Sequence, residues 1–406
     1  MHIAHFTNTY HPVISGVVRS VSAFRKALTG LGHNVFIFAH ETGDYEDTAP
    51  FIFRYPALKL SSSVDFPATL PISPFVDKLL PYLKLDVIHA HHPFLLGRTA
   101  ASKARELNLP LIFTFHTRYR EYAHYFPLPQ EMVQDFVKDA IDSWLGEYMQ
   151  KCHHIIAPTE SMREILMSEY GLLERVTAVP TGIDLRPYQD TDREVVRALR
   201  GWGDEKVLVS VGRLALEKNW TTLLDAGARV MQTHKNLRIV LIGDGPARGS
   251  LQKYVRELGI AERVTFAGKL PFDDIPYYLK AADIFGFASV TETQGLATME
   301  ALAAGLPVVA VNATGTRDVV EHGREGLLTE NDSTALSAAL QQILEDENLL
   351  RSYQEAAIRK AQCFDITHQA KRLEGVYHQA IEDKKAGRTV MVRKLKKLFN
   401  LKEIRL

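Results

Sequence analysis

The stretch IFGFASVTETQGLATMEALAAGLPVVAV, residues 284–311, contains the pattern that decides the fold. An apolar run at 284–288 leads through a polar turn into a helical segment that begins near Gly295, and Gly305 followed by Pro307 ends that segment. A second apolar run follows at 307–311. Because both runs are continuously apolar and a crossover helix separates them, they predict parallel strands that helices cover on both faces.

The same alternation recurs along the chain. Apolar runs followed by helix-length amphipathic stretches occur in the first half at 2–6, 35–39, 87–90, 111–115, 154–157 and 177–179, and in the second at 207–211, 238–242, 264–267, 284–288, 307–311 and 326–328. Turn formers at 181–193 predict a linker. We therefore expect an α/β protein with two doubly wound, Rossmann-like domains, 1–188 and 189–355, with ligands at the carboxyl ends of the strands in the cleft between them.

Composition and charge exclude several classes of protein. The chain has 406 residues, and its 48 basic and 48 acidic residues give no global charge bias toward nucleic acid. Two cysteines exclude a disulfide scaffold, and neither a secretory signal nor a transmembrane run is visible. The sequence predicts a cytoplasmic protein, soluble or peripheral. Residues 384–406 carry nine basic side chains and one acidic side chain, which suggests a basic tail.

The turn after the run at 284–288 has the strongest signs of a site. Glu292 lies in this turn, and Glu300 lies about one turn inside the helix. The amides at 293–296 form a helix N-terminus, which favours phosphate, and a carboxylate can bind the hydroxyls of a ribose. The alternative is a solvated pair of glutamates.

Three other loops follow predicted strands. VGRLALEKN, residues 211–219, places Arg213 and Lys218 where two cations can clamp a diphosphate, although surface cations are common there. HPVISGV, residues 11–17, contains Gly16, which allows close approach of a ligand. His116 lies in the aromatic stretch FTFHTRYREYAHYF, residues 113–126; a lone histidine is more often structural.

Three motifs are interpreted as non-functional. The glycines at 243–249 suggest a dinucleotide site, but Gly268 and Lys269 follow the next run where an acidic residue would hold a ribose, so NAD is excluded. The DxD at 190–192 is interpreted as helix capping. The histidines at 89, 91 and 92 are not expected to bind a metal, on the argument that alternating side chains point to opposite faces and that no cysteine or carboxylate joins them.

Taken together, these segments resemble glycosyltransferase family 4, a retaining class with the GT-B fold. HPVISGV resembles the family's glycine loop, with Ser15 in place of the more usual first glycine, and VGRLALEKN resembles its diphosphate site. IGDGP, FAGKL and the E-x7-E element from Glu292 to Glu300 follow in the family's order. HTRYREYAHYFPLP, AHHPFLLGRTA and TETQGL are similar to segments of diacylglycerol glucosyltransferases.

The resemblance implies roles for the matching residues. Arg213 and Lys218 would neutralise the leaving diphosphate, Glu300 would bind the ribose, and Glu292 would contact the donor sugar. The implied donor site is completed by the residues Gly16, Lys269, Leu270, Thr293, Gln294, Gly295 and Leu296. His116 would hydrogen-bond the transferred sugar. A helix at 356–383 would cross back to the N-terminal domain, and no metal or other cofactor would be needed.

The resemblance thus implies transfer of glucose from UDP-glucose to diacylglycerol. A polyprenyl-linked or soluble acceptor, another sugar, or a silent membrane scaffold are the alternatives. On a helix, the apolar residues of 389–406 form a stripe beside basic flanks, which predicts contact with an anionic membrane surface on its cytoplasmic side. The alternatives for this tail are a helix on the protein's own surface or disorder. The segment 75–84, interrupted by Pro81, is a weaker second candidate for membrane contact.

Overall fold

A computed structural model describes residues 1–43, 45–58, 68–69, 73–119 and 131–392, without the side chains of 57–58, 68–69 and 131–138. The chain forms two compact units, the first from Met1–Gly182 with the described residues from Thr367 onward, and the second from Ile183–Ile366. The boundary between the two units therefore follows Gly182, earlier in the chain than the boundary expected after residue 188. The reason is local, because the Ile183 amide donates to the Phe364 carbonyl at 2.8 Å and the Ile366 amide donates to the Ile183 carbonyl at 3.1 Å.

The first unit contains a seven-stranded parallel sheet with the order β3-β2-β1-β6-β7-β8-β9 and a separate two-stranded antiparallel sheet of β4 and β5. Its strands are β1 (His2–Phe6), β2 (Asn34–His40), β3 (Ile52–Tyr55), β4 (Ala57–Leu58), β5 (Ala68–Thr69), β6 (Val87–Ala90), β7 (Leu111–Thr114), β8 (His154–Ala157) and β9 (Val176–Ala178). Its first five helices are α1 (Gly16–Gly30), α2 (Pro74–Leu79), α3 (Leu96–Glu106), α4 (Glu131–Met149) and α5 (Glu160–Ser168).

The edge strand β3 was not predicted from the sequence. Its short run IFRY contains a charged residue, and only Tyr55 is fully buried. The structure explains Arg54, because its guanidinium pairs with Asp47 at 2.7 Å and donates to the carbonyls of His40 and His11, both at 2.9 Å. A charge on an edge strand is tolerated when such partners satisfy it.

The second unit contains a six-stranded parallel sheet with the order β12-β11-β10-β13-β14-β15. Its strands are β10 (Lys206–Val211), β11 (Leu237–Ile242), β12 (Val264–Gly268), β13 (Ile284–Phe287), β14 (Val308–Val311) and β15 (Gly326–Thr329). Its helices are α6 (Arg186–Gln189), α7 (Arg193–Arg200), α8 (Trp220–Thr233), α9 (Arg248–Glu257), α10 (Ile275–Ala281), α11 (Leu296–Ala303), α12 (Thr316–Val319), α13 (Ser333–Glu345) and α14 (Glu347–Ala361). Both parallel sheets of the class expected from the sequence are present.

Two aspartates near the start of this unit have structural roles. Asp192 accepts from the Glu194 amide at 2.9 Å and so caps α7, which confirms the interpretation of the DxD as capping. Asp283 is buried and accepts from Arg193 at 2.7 Å, from Arg197 at 3.3 Å and from a strand amide of β10 at 2.8 Å. This carboxylate joins α7 to the sheet.

The helix α15 (Ile366–Lys385) returns to the first unit. Leu373 and Tyr377 are buried there, and the Arg372 guanidinium donates to the Ala178 carbonyl at the end of β9 at 2.7 Å. The expected return helix at 356–383 therefore begins later, because α14 belongs to the second unit. Within the described residues, no helix combines the length and apolarity needed to cross a bilayer.

The segment after α15 differs from the expected amphipathic tail. Val390, which the sequence analysis includes in the apolar stripe, is buried in the core of the first unit, and its amide donates to the Cys152 carbonyl at 2.9 Å. Val392 forms a β-bridge with Leu172. The remainder of the predicted tail, 393–406, lies outside the described residues, as do residues 120–126 of the aromatic stretch 113–126.

Candidate active site

The predicted donor-site residues of the second unit follow strands whose carboxyl ends share one edge of the sheet. β10 and β13 are adjacent and parallel, with Leu208 paired to Ile284. The loop after β10 carries Arg213 and Lys218, and the loop after β13 carries Glu292. The topology therefore brings two cations and a carboxylate to neighbouring loops, at the position where ligands bind in such sheets.

Lys218 and Glu292 are in direct contact. The Lys218 ammonium and a Glu292 carboxylate oxygen form a hydrogen-bonded ion pair between two largely buried side chains. Lys218 ends a short 3-10 turn, Leu216–Lys218, whose backbone turns at Asn219 with φ of 55°. The Asn219 side-chain amide donates to the Ala288 carbonyl at 3.3 Å, so the two loops are also joined through the backbone.

The backbone of the loop that carries Arg213 packs against the glycines that follow β11. A Cβ at Gly243, whose φ is +141°, would lie 1.9 Å from the Gly212 carbonyl oxygen, and a Cβ at Gly245 would lie 2.5 Å from that of Leu214. These glycines therefore let two backbones pack together, which explains the glycine-rich stretch without a dinucleotide. Arg213 itself is exposed, and its carbonyl accepts from the Trp220 indole at 2.9 Å.

The turn from Glu292 to Gly295 lies against the backbone of Gly315. A Cβ at Gly315 would lie 2.7 Å from the Glu292 carbonyl oxygen and 2.9 Å from the Gln294 nitrogen, so any side chain at Gly315 would force this turn to move. Gly295 has φ of +74°, and its carbonyl accepts from the Thr298 and Met299 amides at 3.0 and 3.1 Å as α11 begins at Leu296. Three residues, 293–295, separate Glu292 from the first residue of this helix.

Glu300 lies on α11 and is only 4% exposed, whereas Lys269 is exposed and Leu270 packs partly on the core after β12. Buried hydroxyls surround the turn and α11. The oxygens of Ser289, Thr298 and Thr316 have no hydrogen-bond partner among the described residues. Buried polar atoms of this kind are commonly satisfied by water or ligand, so this region has spare hydrogen-bonding capacity.

The remaining predicted residues, Gly16 and His116, belong to the first unit. Gly16 is the exposed first residue of α1, which the Ser15 hydroxyl caps by accepting from the Val18 amide at 3.3 Å. The family-typical glycine is thus replaced by a helix-capping residue. His116 follows β7 and is partly exposed. Its Nε2 lies 2.9 Å from Nδ1 of His91, a buried residue that directly follows β6.

One argument used against a metal site at the histidines of residues 89–92, that their side chains point to opposite faces, is wrong for His89 and His91. The expectation that they bind no metal stays a prediction. Residues i and i+2 of a strand share a face, so His89 and His91 project to the same side, where His5 of the adjacent strand β1 joins them. One ring nitrogen from each lies within 4.8 Å of the others. His92 points elsewhere and accepts from the Asn8 amide at 3.1 Å. Two features of the sequence could have indicated this cluster. His89 and His91 are two positions apart, and β1 carries a histidine, His5, that pairs with His89.

Burial keeps these rings neutral. It lowers the pKa of His5 to about 3 and that of His116 to about 3, and it holds the pKa values of His89 and His91 well below their usual range. Repulsion from Arg25 lowers the pKa of His5 further, and the proximity of other histidines lowers the pKa of His91 further. At neutral pH, each ring therefore has one N–H donor and one acceptor nitrogen.

Comparison with known proteins identifies the class of protein. Residues 14–186 match the family model described as Glycosyltransferase Family 4, and residues 192–360 match the model described as Glycosyl transferases group 1. The fold is similar to that of a sucrose-phosphate synthase from Thermosynechococcus elongatus, with a TM-score of 0.76, 22% identity, and coverage of 94% of this chain and 99% of that one. An Anabaena protein in complex with UDP and glucose gives a TM-score of 0.74 at 20% identity, covering 93% and 99%. The protein is a glycosyltransferase with the GT-B fold.

Relatives identify the family. Alpha-monoglucosyldiacylglycerol synthases from Acholeplasma laidlawii and Streptococcus pneumoniae are each 32% identical to this chain, covering 80% and 85% of it and 84% and 78% of their own lengths. A GDP-mannose-dependent alpha-mannosyltransferase from Corynebacterium glutamicum is 27% identical over 85% of this chain and 81% of its own. The chain therefore belongs to glycosyltransferase family 4, as its sequence motifs predict.

Proposed function

We propose that this enzyme transfers a glucosyl unit from UDP-glucose to diacylglycerol at a membrane surface, with retention at the sugar carbon. The observation that carries the proposal is the Lys218–Glu292 pair, which joins the loops after the adjacent strands β10 and β13. Arg213 lies on the first of these loops, and α11 follows the second. The names of the two relatives at 32% identity support the choice of sugar and acceptor.

In this mechanism, the bond between the sugar C1 and the β-phosphate oxygen breaks, and negative charge develops on the departing UDP. In the proposal, Arg213, Lys218 and the amides of Gly295 and Leu296 act as fixed donors to that charge, which keeps reorganisation small. These groups supply positive charge without a divalent ion. We infer that the reaction proceeds without added metal and is insensitive to EDTA.

Glu292 and Glu300 have different roles in the proposal. Glu292 accepts hydrogen bonds from sugar hydroxyls, and its contact with Lys218 fixes its orientation. Glu300, one turn inside α11, accepts from the ribose, while Lys269 and Leu270 lie by the base. The acceptor hydroxyl attacks C1 on the face that UDP leaves, and its proton passes to the departing phosphate oxygen.

The proposed membrane contact has two parts. Phe75 and Tyr82, on α2 and the following 3-10 turn, are 69% and 81% exposed, while Val76 and Leu80 of the same segment are buried. This gives an aromatic outer surface on an anchored segment, as at membrane interfaces. The second part is the basic stretch 393–406, for which each lysine or arginine contributes roughly 1 kcal/mol at an anionic surface.

The test is transfer of radiolabel from UDP-glucose to diacylglycerol in liposomes with and without anionic phospholipid. Arg213→Ala should lower kcat by about 10²- to 10³-fold, as for loss of one donor to a developing oxyanion. Lys253→Ala, which removes an exposed lysine from α9, is the matched control and should leave activity unchanged. Turnover by Arg213→Ala at the wild-type rate would contradict the proposed site.

A second candidate is transfer of another sugar or transfer to another acceptor. The mannosyltransferase relative, named for GDP-mannose, favours this possibility because it covers as much of the chain as the lipid enzymes do. Competition of UDP and GDP for the free enzyme, measured by calorimetry, separates the donors. Hydrolysis of UDP-glucose without lipid product would keep the donor and redirect the search to polyprenyl-linked or soluble acceptors.

A further inference from the structure

Six side chains of the first unit are hydrogen-bonded in series, and we call this series the histidine chain. It runs through Thr114, His89, Tyr377, His5, His91 and His116. The successive distances are 2.7, 2.9, 3.2, 2.8 and 2.9 Å. Every member except His116 is buried. The long helix α15 supplies Tyr377, so both ends of the polypeptide contribute to the chain.

The atoms used make the series directional. The two ring-to-ring links each join an Nδ1 to an Nε2, from His5 to His91 and from His91 to His116. The Tyr377 hydroxyl lies between His89 Nδ1 and His5 Nε2. Because a neutral imidazole has one donor and one acceptor, fixing the proton on one ring fixes it on the next. Only two arrangements therefore keep every link. All four rings carry hydrogen on Nδ1, or all four carry it on Nε2.

The Thr114 hydroxyl, at the buried end of the series, favours one of these arrangements. In the part of the chain that the structure describes, His89 Nε2 is its only side-chain or backbone partner through Oγ1. If Thr114 donates to His89, every hydrogen inside the chain has an acceptor. In the opposite arrangement His89 donates to Thr114, and a buried hydroxyl hydrogen has none. Leaving a buried donor unsatisfied disfavours a state by roughly tenfold or more.

We propose that the histidine chain fixes His116 as a neutral ring with its hydrogen on Nδ1, which faces away from His91. Thr114, Tyr377, His5, His89 and His91 are then positioning residues. His116 acts as a fixed hydrogen-bond donor and does not act as a general base. Its use on the transferred sugar rests on the proposed function; the tautomer itself does not.

The primary test is two-bond proton–nitrogen NMR of the full-length protein labelled with ¹⁵N-histidine at pH 7, with signals assigned by single substitutions. The expected result is a protonated Nδ1 and an unprotonated Nε2 in His5, His89, His91 and His116. An Nε2–H form at His116 would overturn the proposal. So would stoichiometric zinc in the purified protein, because a metal shared by His5, His89 and His91 would occupy the nitrogens that the links need.

Variants test the link through the centre. Tyr377→Phe removes the donor to His5, so an Nε2–H population should appear at His116, with kcat lowered about 3- to 10-fold and KM for UDP-glucose unchanged. Thr114→Ser keeps the hydroxyl and should preserve the wild-type spectrum. Tyr148→Phe is the matched control, since this buried hydroxyl of the same unit donates to the Gly97 carbonyl. Identical His116 signals in Tyr377→Phe and wild type would refute the proposed role of the histidine chain.

The two proposals fail separately. If the wild-type protein transfers no glucose to lipid, the proposed function fails, while the NMR pattern still decides the tautomer. If transfer occurs and His116 carries its hydrogen on Nε2, the histidine chain fails and the proposed function stands.

Discussion

Replacing Gly315 by alanine should damage the donor site without removing any functional group. The new Cβ would lie 2.7 Å from the Glu292 carbonyl oxygen, and ordinary contacts begin at 3.4 Å, so the turn must move by about 0.7 Å. A shift near 1 Å in a group that positions substrate costs about 10²-fold in rate. We expect kcat/KM to fall about 10- to 100-fold and the affinity for UDP to fall with it.

Gly323→Ala is the matched control. Gly323 has φ of +79°, close to the +82° of Gly315, but a Cβ there would meet nothing within 4 Å. Both variants carry the cost of a left-handed alanine, about 1–2 kcal/mol, whereas only Gly315→Ala adds overpacking of about 1–3 kcal/mol. Gly315→Ala should therefore have the lower thermal midpoint as well as the lower activity.

The assays are calorimetric titration with UDP, initial rates of glucosyl transfer, and thermal unfolding. The reasoning predicts that the two variants differ in UDP affinity as well as in stability. It would be refuted if Gly315→Ala bound UDP as tightly as Gly323→Ala, because the backbone of Gly315 would then not hold the turn that carries Glu292.

Three further outcomes are expected. Asp283→Ala leaves the Arg193 and Arg197 guanidinium groups without their buried partner and should lower the free energy of unfolding by about 3–5 kcal/mol, measured by denaturant titration; a loss under 1 kcal/mol would contradict this role. The four rings of the histidine chain bind protons more readily when unfolded, so each contributes stability above the unfolded pKa of 6.5. This stability is lost as the pH falls through the lowered folded-state pKa, which is about 3 for His5 and His116. The free energy of unfolding should fall with decreasing pH by up to about 1.4 kcal/mol per pH unit for each ring. A thermal midpoint that stays constant from pH 6.5 to pH 5 would contradict this prediction. Deleting residues 393–406 should weaken sedimentation with anionic liposomes and leave the thermal midpoint unchanged, whereas deletion from residue 389 should also lower the midpoint because it removes buried Val390; equal binding by the shorter and full chains would remove the tail from the membrane proposal.

Most of the fold could be predicted because parallel strands buried on both faces appear as plain apolar runs. The runs at 2–6, 87–90 and 154–157 coincide with β1, β6 and β8. Strand β3 was not predicted because Arg54 breaks the apolar run, and the sequence does not show that Asp47 and two backbone carbonyls satisfy this charge. The burial of Val390 in the core of the first unit was not predicted either. An apolar residue among basic residues gives the same sequence pattern whether it contacts a membrane or packs on the protein's own core.

The candidate site was predictable as a set of loops but not as a set of contacts. Spacing and order located Arg213, Lys218 and Glu292, yet no pattern showed that Lys218 and Glu292 pair directly. Gly315 was overlooked because its importance comes from a backbone approach between two loops that are distant in sequence. The histidine chain was missed because Tyr377 lies 288 positions from its partner His89 and no local pattern links them.

The return of α15 to the first unit sets an order of events during translation. Domains usually fold as they are synthesised, N-terminal first. Here the second unit, Ile183–Ile366, has all its residues before the ribosome has made Leu373 and Tyr377, which the first unit buries. The nascent first unit must therefore wait with an uncovered apolar surface while its neighbour is completed. Slow translation of the codons for α15, or a fusion that delays the packing of α15 on the first unit, should lower the yield of folded enzyme.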